Sequence, residues 1–233
     1  MYKKVTHHII EEHFDHPMAA HVKDVVDHKH NTTPIPHGHK SMMIPMSASS
    51  IKLNSDAMHL FGNYFWRLRA YLISALDSGE DRVSIENHIF TDIINLGNVV
   101  KMFYGDAAAT AFEQYLKSYS LAIIAEINAI KAGQPTTDLA AKVSSSVTDL
   151  ANFLSQANPS HWPASTVSHI LNQASDAWIA QANDRKRKDW IADFAALERA
   201  KGIMLTGQSD KTPGFATIFA NGVIQQFPNM FVS

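Results

Sequence analysis

The stretch AAATAFEQYLKSYSLAIIAEINAIK, residues 107–131, decides the fold. Its apolar side chains Phe112, Leu116, Tyr119, Ile123, Ile127 and Ile130 recur at steps of three and four, so a helix sets them on one face. A stripe that wide must be covered by other helices of the same kind. The residues KAGQPTTD at 131–138 end the segment with glycine, proline and a capping threonine or aspartate.

Working outward, the same spacing returns. Residues 58–77 place Leu60, Phe61, Tyr64, Phe65, Leu68, Leu72 and Leu76 on one stripe, and SGED then breaks the pattern. Ile85, Ile89, Ile93, Leu96, Val100 and Phe103 form a stripe over 84–104. Gly105 closes it, and Asp106 is suited to cap the next helix. Val143, Val147, Leu150 and Leu154 make a further stripe, followed by the proline-marked turn ANPSHWPAS, where Pro163 suits a first-turn position. Segments near 164–183 and 186–205, the loop TGQSDKTPG and a short helix over 214–226 complete the chain. Almost nothing alternates with period two. The expected fold is all-α: an antiparallel bundle of about six or seven helices over residues 51–233, preceded by an N-terminal arm over residues 1–50.

An internal echo runs through the helices. FTDIINLGNVVKMF at 90–103 resembles VTDLANFLSQA at 147–157, and each leads through a turn into a longer amphipathic segment. Phe112, Leu116, Tyr119 and Ile123 then correspond to Val167, Leu171, Ala174 and Trp178. Two similar helical-hairpin halves would produce this pattern, and so would chance likeness among amphipathic helices.

Composition narrows the functional classes. Hydrophobic residues make up 45% of the 233 residues and charged residues 18%, the mixture of a soluble globular chain. The formal charge of −2 gives no basic excess for nucleic acid. The basic run DRKRKDW at 184–190 is flanked by aspartates and reads as a solvated helix start. The absence of cysteine excludes disulfides, thiolate metal sites and cysteine nucleophiles. No apolar run reaches the length of a membrane span, and the N-terminus lacks the apolar core of a signal peptide, so a cytoplasmic location is expected.

The region from His7 to Lys40 holds nine of the thirteen histidines. His28 and His30, and likewise His37 and His39, are spaced to bring two imidazoles to one ion along an extended chain. His13 and His16 would share one face of a helix, with Glu12 nearby. Neutral imidazole binds divalent transition metals such as zinc, copper or nickel without help from a thiolate. Three roles stay open for the segment: an adaptable arm that joins copies of the chain or other partners, a specific metal site, and a contact surface that responds to mild acid.

Four stretches carry a resemblance to a known family: LFGNYFWRLRAYLIS, FYGDAAATAFEQYLKSYSLAIIAEINAIKAG, LANFLSQANP and GVIQQFPNMF. Together, over residues 58–231, they resemble an uncharacterised all-helical family from Bacillus, Lactobacillus and their relatives. The resemblance implies an all-helical fold. It also implies interior histidines in a Trp-x-x-His pattern and a later His-Leu pair, whose places here hold Phe61 with Tyr64, and Tyr119 with Ser120. The counterpart in the later helix is Ala174. If the family's histidines hold a metal, this chain has lost those ligands. Many members carry the label acetylglutamate kinase. The residues argue against that activity, because an amino-acid kinase surrounds ATP phosphates with glycine-rich loops on an α/β sheet. This chain has ten glycines and no clustered glycine loop following a strand.

No nucleophile elbow, P-loop or dinucleotide fingerprint occurs, and Glu-x-x-His pairs are absent from the helical part. Glu80, Asp81, Glu86 and Asp92 fall where exposed faces and caps would place them. Glu126, His88 and His169 are the inward-facing polar candidates, each expected to be a hydrogen-bonded core or boundary residue. Trp66, Trp178 and Trp190 are expected to pack. The favoured function is a non-enzymatic binding or structural protein. One rival joins the arm histidines to His59 or His88 in a metal site, and another encloses an apolar ligand between Phe65, Tyr119 and Trp178.

Overall fold

A computed structural model describes residues 47–208 and 212–232. Its helices are α1 (Ala48–Leu76), α2 (Arg82–Ala132), α3 (Thr137–Ala157), α4 (Ala164–Lys186), α5 (Trp190–Lys201) and α6 (Phe215–Gln226). A π-helical turn, Gly202–Thr206, extends α5, and a 3₁₀ turn, Pro228–Met230, follows α6. Among the described residues there is no β-strand, and no helix is long and apolar enough to cross a membrane. The fold is an all-α bundle.

The local signals explain the boundaries. Ser47 caps α1 by accepting from the Ser50 amide at 3.1 Å. Gly105 breaks α2 into two limbs; its φ of 82° and ψ of 176° lie in a region that is essentially glycine's alone. Asp106 does not cap the second limb but pairs with Lys101 across the bend, at 2.5 Å. At the end of α2 the Gly133 and Gln134 amides close back on Ile130 and Ala129, with Gly133 in the left-handed region (φ 71°).

The basic run over 184–190 is a helix end, which corrects the expected helix start. Arg185 and Lys186 occupy the last turn of α4, where cations meet unpaired carbonyls. Lys188 turns the chain at φ 61°, and Asp189 caps α5 by accepting from the Ala192 amide at 3.0 Å.

Counting the two limbs of α2 separately, α1, the second limb of α2 and α4 run the same way. The internal echo appears here as repeated side-chain bonds. Tyr64 on α1 and Tyr119 on the second limb of α2 each meet a serine 56 residues further on, Ser120 at 2.9 Å and Ser175 at 3.1 Å. Lys131 reaches back 56 residues to the Ala75 carbonyl, and Lys186 reaches back 56 residues to that of Ile130. So α1, the second limb of α2 and α4 lie side by side with matched register. The repeat thus extends one unit further back than the two halves read from sequence.

The core sits between these three helices. Phe61, Phe65, Leu68 and Leu72 from α1 meet Phe112, Ile123 and Ile127 from α2 and Leu171, Trp178 and Ala182 from α4, all buried. Against one end of α1, α6 adds Phe215 and Phe219, whose rings each stand 5.4 Å from Phe61, edge to face. One polar cluster is built into this core: Arg69 donates to both Asp193 oxygens at 2.5 and 2.7 Å and to Gln181 at 2.9 Å. It ties α1 to α4 and α5.

Candidate functional site

The predicted metal ligands His13, His16, His28, His30, His37 and His39 lie outside the described residues. His59 and His88 are exposed, on α1 and on the first limb of α2. His88 and His169 were expected to face inward; both are exposed, His88 beside buried Ile89 and His169 midway between buried Val167 and Leu171. Asp92 is the converse case, expected on an exposed face and in fact buried, with Arg67 Nε at 2.5 Å from its carboxylate. Its place three residues after Ile89 and four before Leu96 puts it beside the core stripe. Burial pushes the Asp92 carboxyl up, against the opposing pull of Arg67 and the smaller ones of His88 and His59. Among the described residues no group of three or more His, Asp or Glu side chains is placed to share a metal ion.

Tyr64 and Tyr119 are core residues. Both are buried, and the serine that meets each hydroxyl also bonds backward to a carbonyl, Ser120 to Leu116 and Ser175 to Leu171. Burial is the main cause that raises both phenols, Tyr119 to about 12 and Tyr64 further, so neither forms a phenolate near neutral pH. Phe65 and Trp178 do not frame an empty space; their ring centroids are 4.9 Å apart and both are buried. Trp66 and Trp190, expected to pack, are about half exposed.

Glu126 behaves differently. The residue is 4% exposed, yet its carboxylate makes no hydrogen bond or ion pair with any described residue and keeps its solvent contact. Its side chain lines a cleft of about 330 Å³ between the second limb of α2, α3 and α4, together with Val143, Ser144, Asn172, Asp176 and Ile179. Burial holds the Glu126 carboxyl above the usual range, and the negative charge of Asp176 adds to this. The repeat shows how the vacancy arises. One repeat earlier Tyr71 stands in the place of Glu126, and Asn128, 57 residues on, donates to its hydroxyl at 3.0 Å. The matching asparagine for Glu126 is Asn183, which instead gives its amide to the Ile179 carbonyl at 2.9 Å. The second interface therefore lacks the polar closure of the first.

The sequence marks Glu126 as inward-facing, but expects a hydrogen-bonded partner that the structure does not supply. Asp176 gave no signal, because its relation to Glu126 depends on packing between helices distant in the chain.

The raised carboxyls fix a sign for the pH dependence of stability. A carboxyl with a higher pKa folded than unfolded binds its proton more tightly in the native state. Stability is then lost as pH rises from the ordinary carboxylate value through the raised one. We expect the melting temperature to fall with rising pH across that window, and Glu126→Gln to flatten the fall and to melt higher than wild type at pH 7. Identical pH profiles for the two proteins would count against the burial of a charged Glu126.

No family model, curated protein or solved structure matches the chain.

Proposed function

We propose that the chain is a non-enzymatic binding protein, a helical scaffold whose ligand enters the cleft beside Glu126. The observation that carries this reading is an acidic side chain on a residue only 4% exposed, which lines the cleft, has no partner among the described residues and keeps its carboxylate oxygens open to solvent. A carboxylate held in a largely desolvated wall keeps part of its desolvation cost, and a ligand that satisfies it recovers that part. The lining of the cleft is mixed, with Ala140, Val143, Ile179 and Ala180 beside Glu126, Ser144, Asn172, Ser175 and Asp176. Tyr64 and Tyr119, by contrast, spend their hydroxyls on serines of the next repeated helix and offer nothing to a substrate.

A thermal-shift screen of the full chain with small cations, anions and neutral polar compounds tests this. At least one class is expected to raise the melting temperature of the wild type and to leave Glu126→Gln unmoved. Equal responses of the two proteins to every class would overturn the assignment.

A second reading rests on the spacing of the N-terminal histidines: the pairs His28 with His30 and His37 with His39 would hold a transition metal such as zinc or nickel. Metal that survives chelation in wild type and is lost when those four histidines become alanine would support it. The same segment is the natural candidate for joining copies of the chain. A cytoplasmic setting suits a cysteine-free chain of this composition.

A further inference from the structure

The lining of the Glu126 cleft specifies the charge of its ligand. Among the described residues two carboxylates border it, that of the buried Glu126 and that of the exposed Asp176, and no lysine, arginine or histidine lines it. A ligand that neutralises Glu126 must therefore bring its own positive charge. Anions are repelled, and neutral molecules leave the Glu126 carboxylate without a counter-ion.

Size and wall chemistry narrow the class further. At about 330 Å³ the cleft is far larger than a bare metal ion needs and sits at the small end of organic-ligand sites, which begin near ~300 Å³. Val143 and Ile179 present alkyl surface to it, and Ser144 and Asn172 present a hydroxyl and an amide. A hard cation such as calcium or magnesium asks for about six or more oxygens in a tight shell, and among the described residues no group of three or more His, Asp or Glu side chains is placed to hold one. A primary ammonium asks for less: up to three acceptors around one nitrogen, with its carbon chain lying on apolar surface.

Resting on the reading of this cleft as a binding site, we propose that it takes the ammonium end of a small primary alkylamine. Glu126 and Asp176 are the charge partners of the nitrogen, and Val143 and Ile179 hold the alkyl chain. Glu126 supplies most of the affinity, because it is the more buried of the two; Asp176 is exposed and screened, and contributes less. Primary amines are preferred over quaternary ones, since the N–H groups, and not the charge alone, satisfy the carboxylate oxygens.

Isothermal titration of the full chain with 1-butylammonium tests the assignment. 1-Butanol, tetramethylammonium, calcium chloride and magnesium chloride serve as comparison ligands. We expect 1-butylammonium to bind wild type, and to bind Glu126→Gln about tenfold or more weakly, with a loss of a few-fold in Asp176→Asn. Butanol and tetramethylammonium should each be about tenfold or more weaker than butylammonium on wild type. Equal affinity for butanol, or butylammonium binding unchanged in Glu126→Gln, overturns the proposal. Tighter binding of calcium or magnesium than of the amine, lost in Glu126→Gln, overturns the ammonium assignment and leaves the cleft a binding site. Failure of every probe here and in the wider screen removes both.

Discussion

Asp193→Ala lowers the stability of the fold by about 3–5 kcal/mol, seen as a lower urea midpoint with an unchanged slope. The Arg69 guanidinium is held at 2.5 and 2.7 Å by the two oxygens of Asp193, and the two side chains are 8% and 4% exposed. Removing the carboxylate strands a buried cation with only the Gln181 oxygen, at 2.9 Å, as its acceptor. Arg185, which also leans on Asp193 at 3.4 Å, loses one of its two carboxylate partners and keeps Asp77. The double variant Arg69→Met/Asp193→Leu removes both charges and fills the space. It should recover most of the loss, because a well-packed apolar pair often equals a buried ion pair in stability. A single variant within about 1 kcal/mol of wild type would mean that water reaches Arg69 and that the clamp between α1, α4 and α5 is not a buried one.

Trp178→Ala is the second large effect, a loss of about 3–5 kcal/mol. The indole is 2% exposed and lies against Phe65 in the seam where the three repeated helices meet. Truncation leaves a void that the matched helices cannot close without giving up the Tyr64–Ser120 and Tyr119–Ser175 bonds on either side. The void is apolar, so it should stay dry and admit a small aromatic such as benzene or indole. Indole is therefore expected to raise the melting temperature of Trp178→Ala and not that of wild type. A comparable rise in wild type would revive the reading in which Phe65, Tyr119 and Trp178 enclose an apolar ligand.

Much of the fold was legible because burial follows helical spacing. Phe112, Leu116, Tyr119, Ile123, Ile127 and Ile130 are all buried, as their steps of three and four require. Gly105 marked the bend in α2 because few other residues accept its backbone angles. Polar residues at the edge of a stripe were harder. His88 and Asp92 are four residues apart on one helix, and a small rotation decides which of them is covered; the sequence reading had the two reversed. The basic run over 184–190 misled for another reason: cations mark helix ends as readily as they mark solvated faces. The Arg69–Asp193 clamp was not legible at all, since its members lie 124 residues apart and nothing local pairs them. The Glu126 cleft was half legible. The inward position showed in the spacing, whereas the missing partner became visible only when one interface was laid over its repeat.

That repetition has a consequence for how such a scaffold can change. When the same seam is built twice, one copy is free to drift while its twin goes on fastening the stack. The tyrosine-and-asparagine latch survives in the earlier seam. In the later one Asn183 bonds within its own helix instead, and a crevice with an acid in its wall stands there. Redundancy of architecture thus gives a compact chain room to specialise one crevice without loosening the whole.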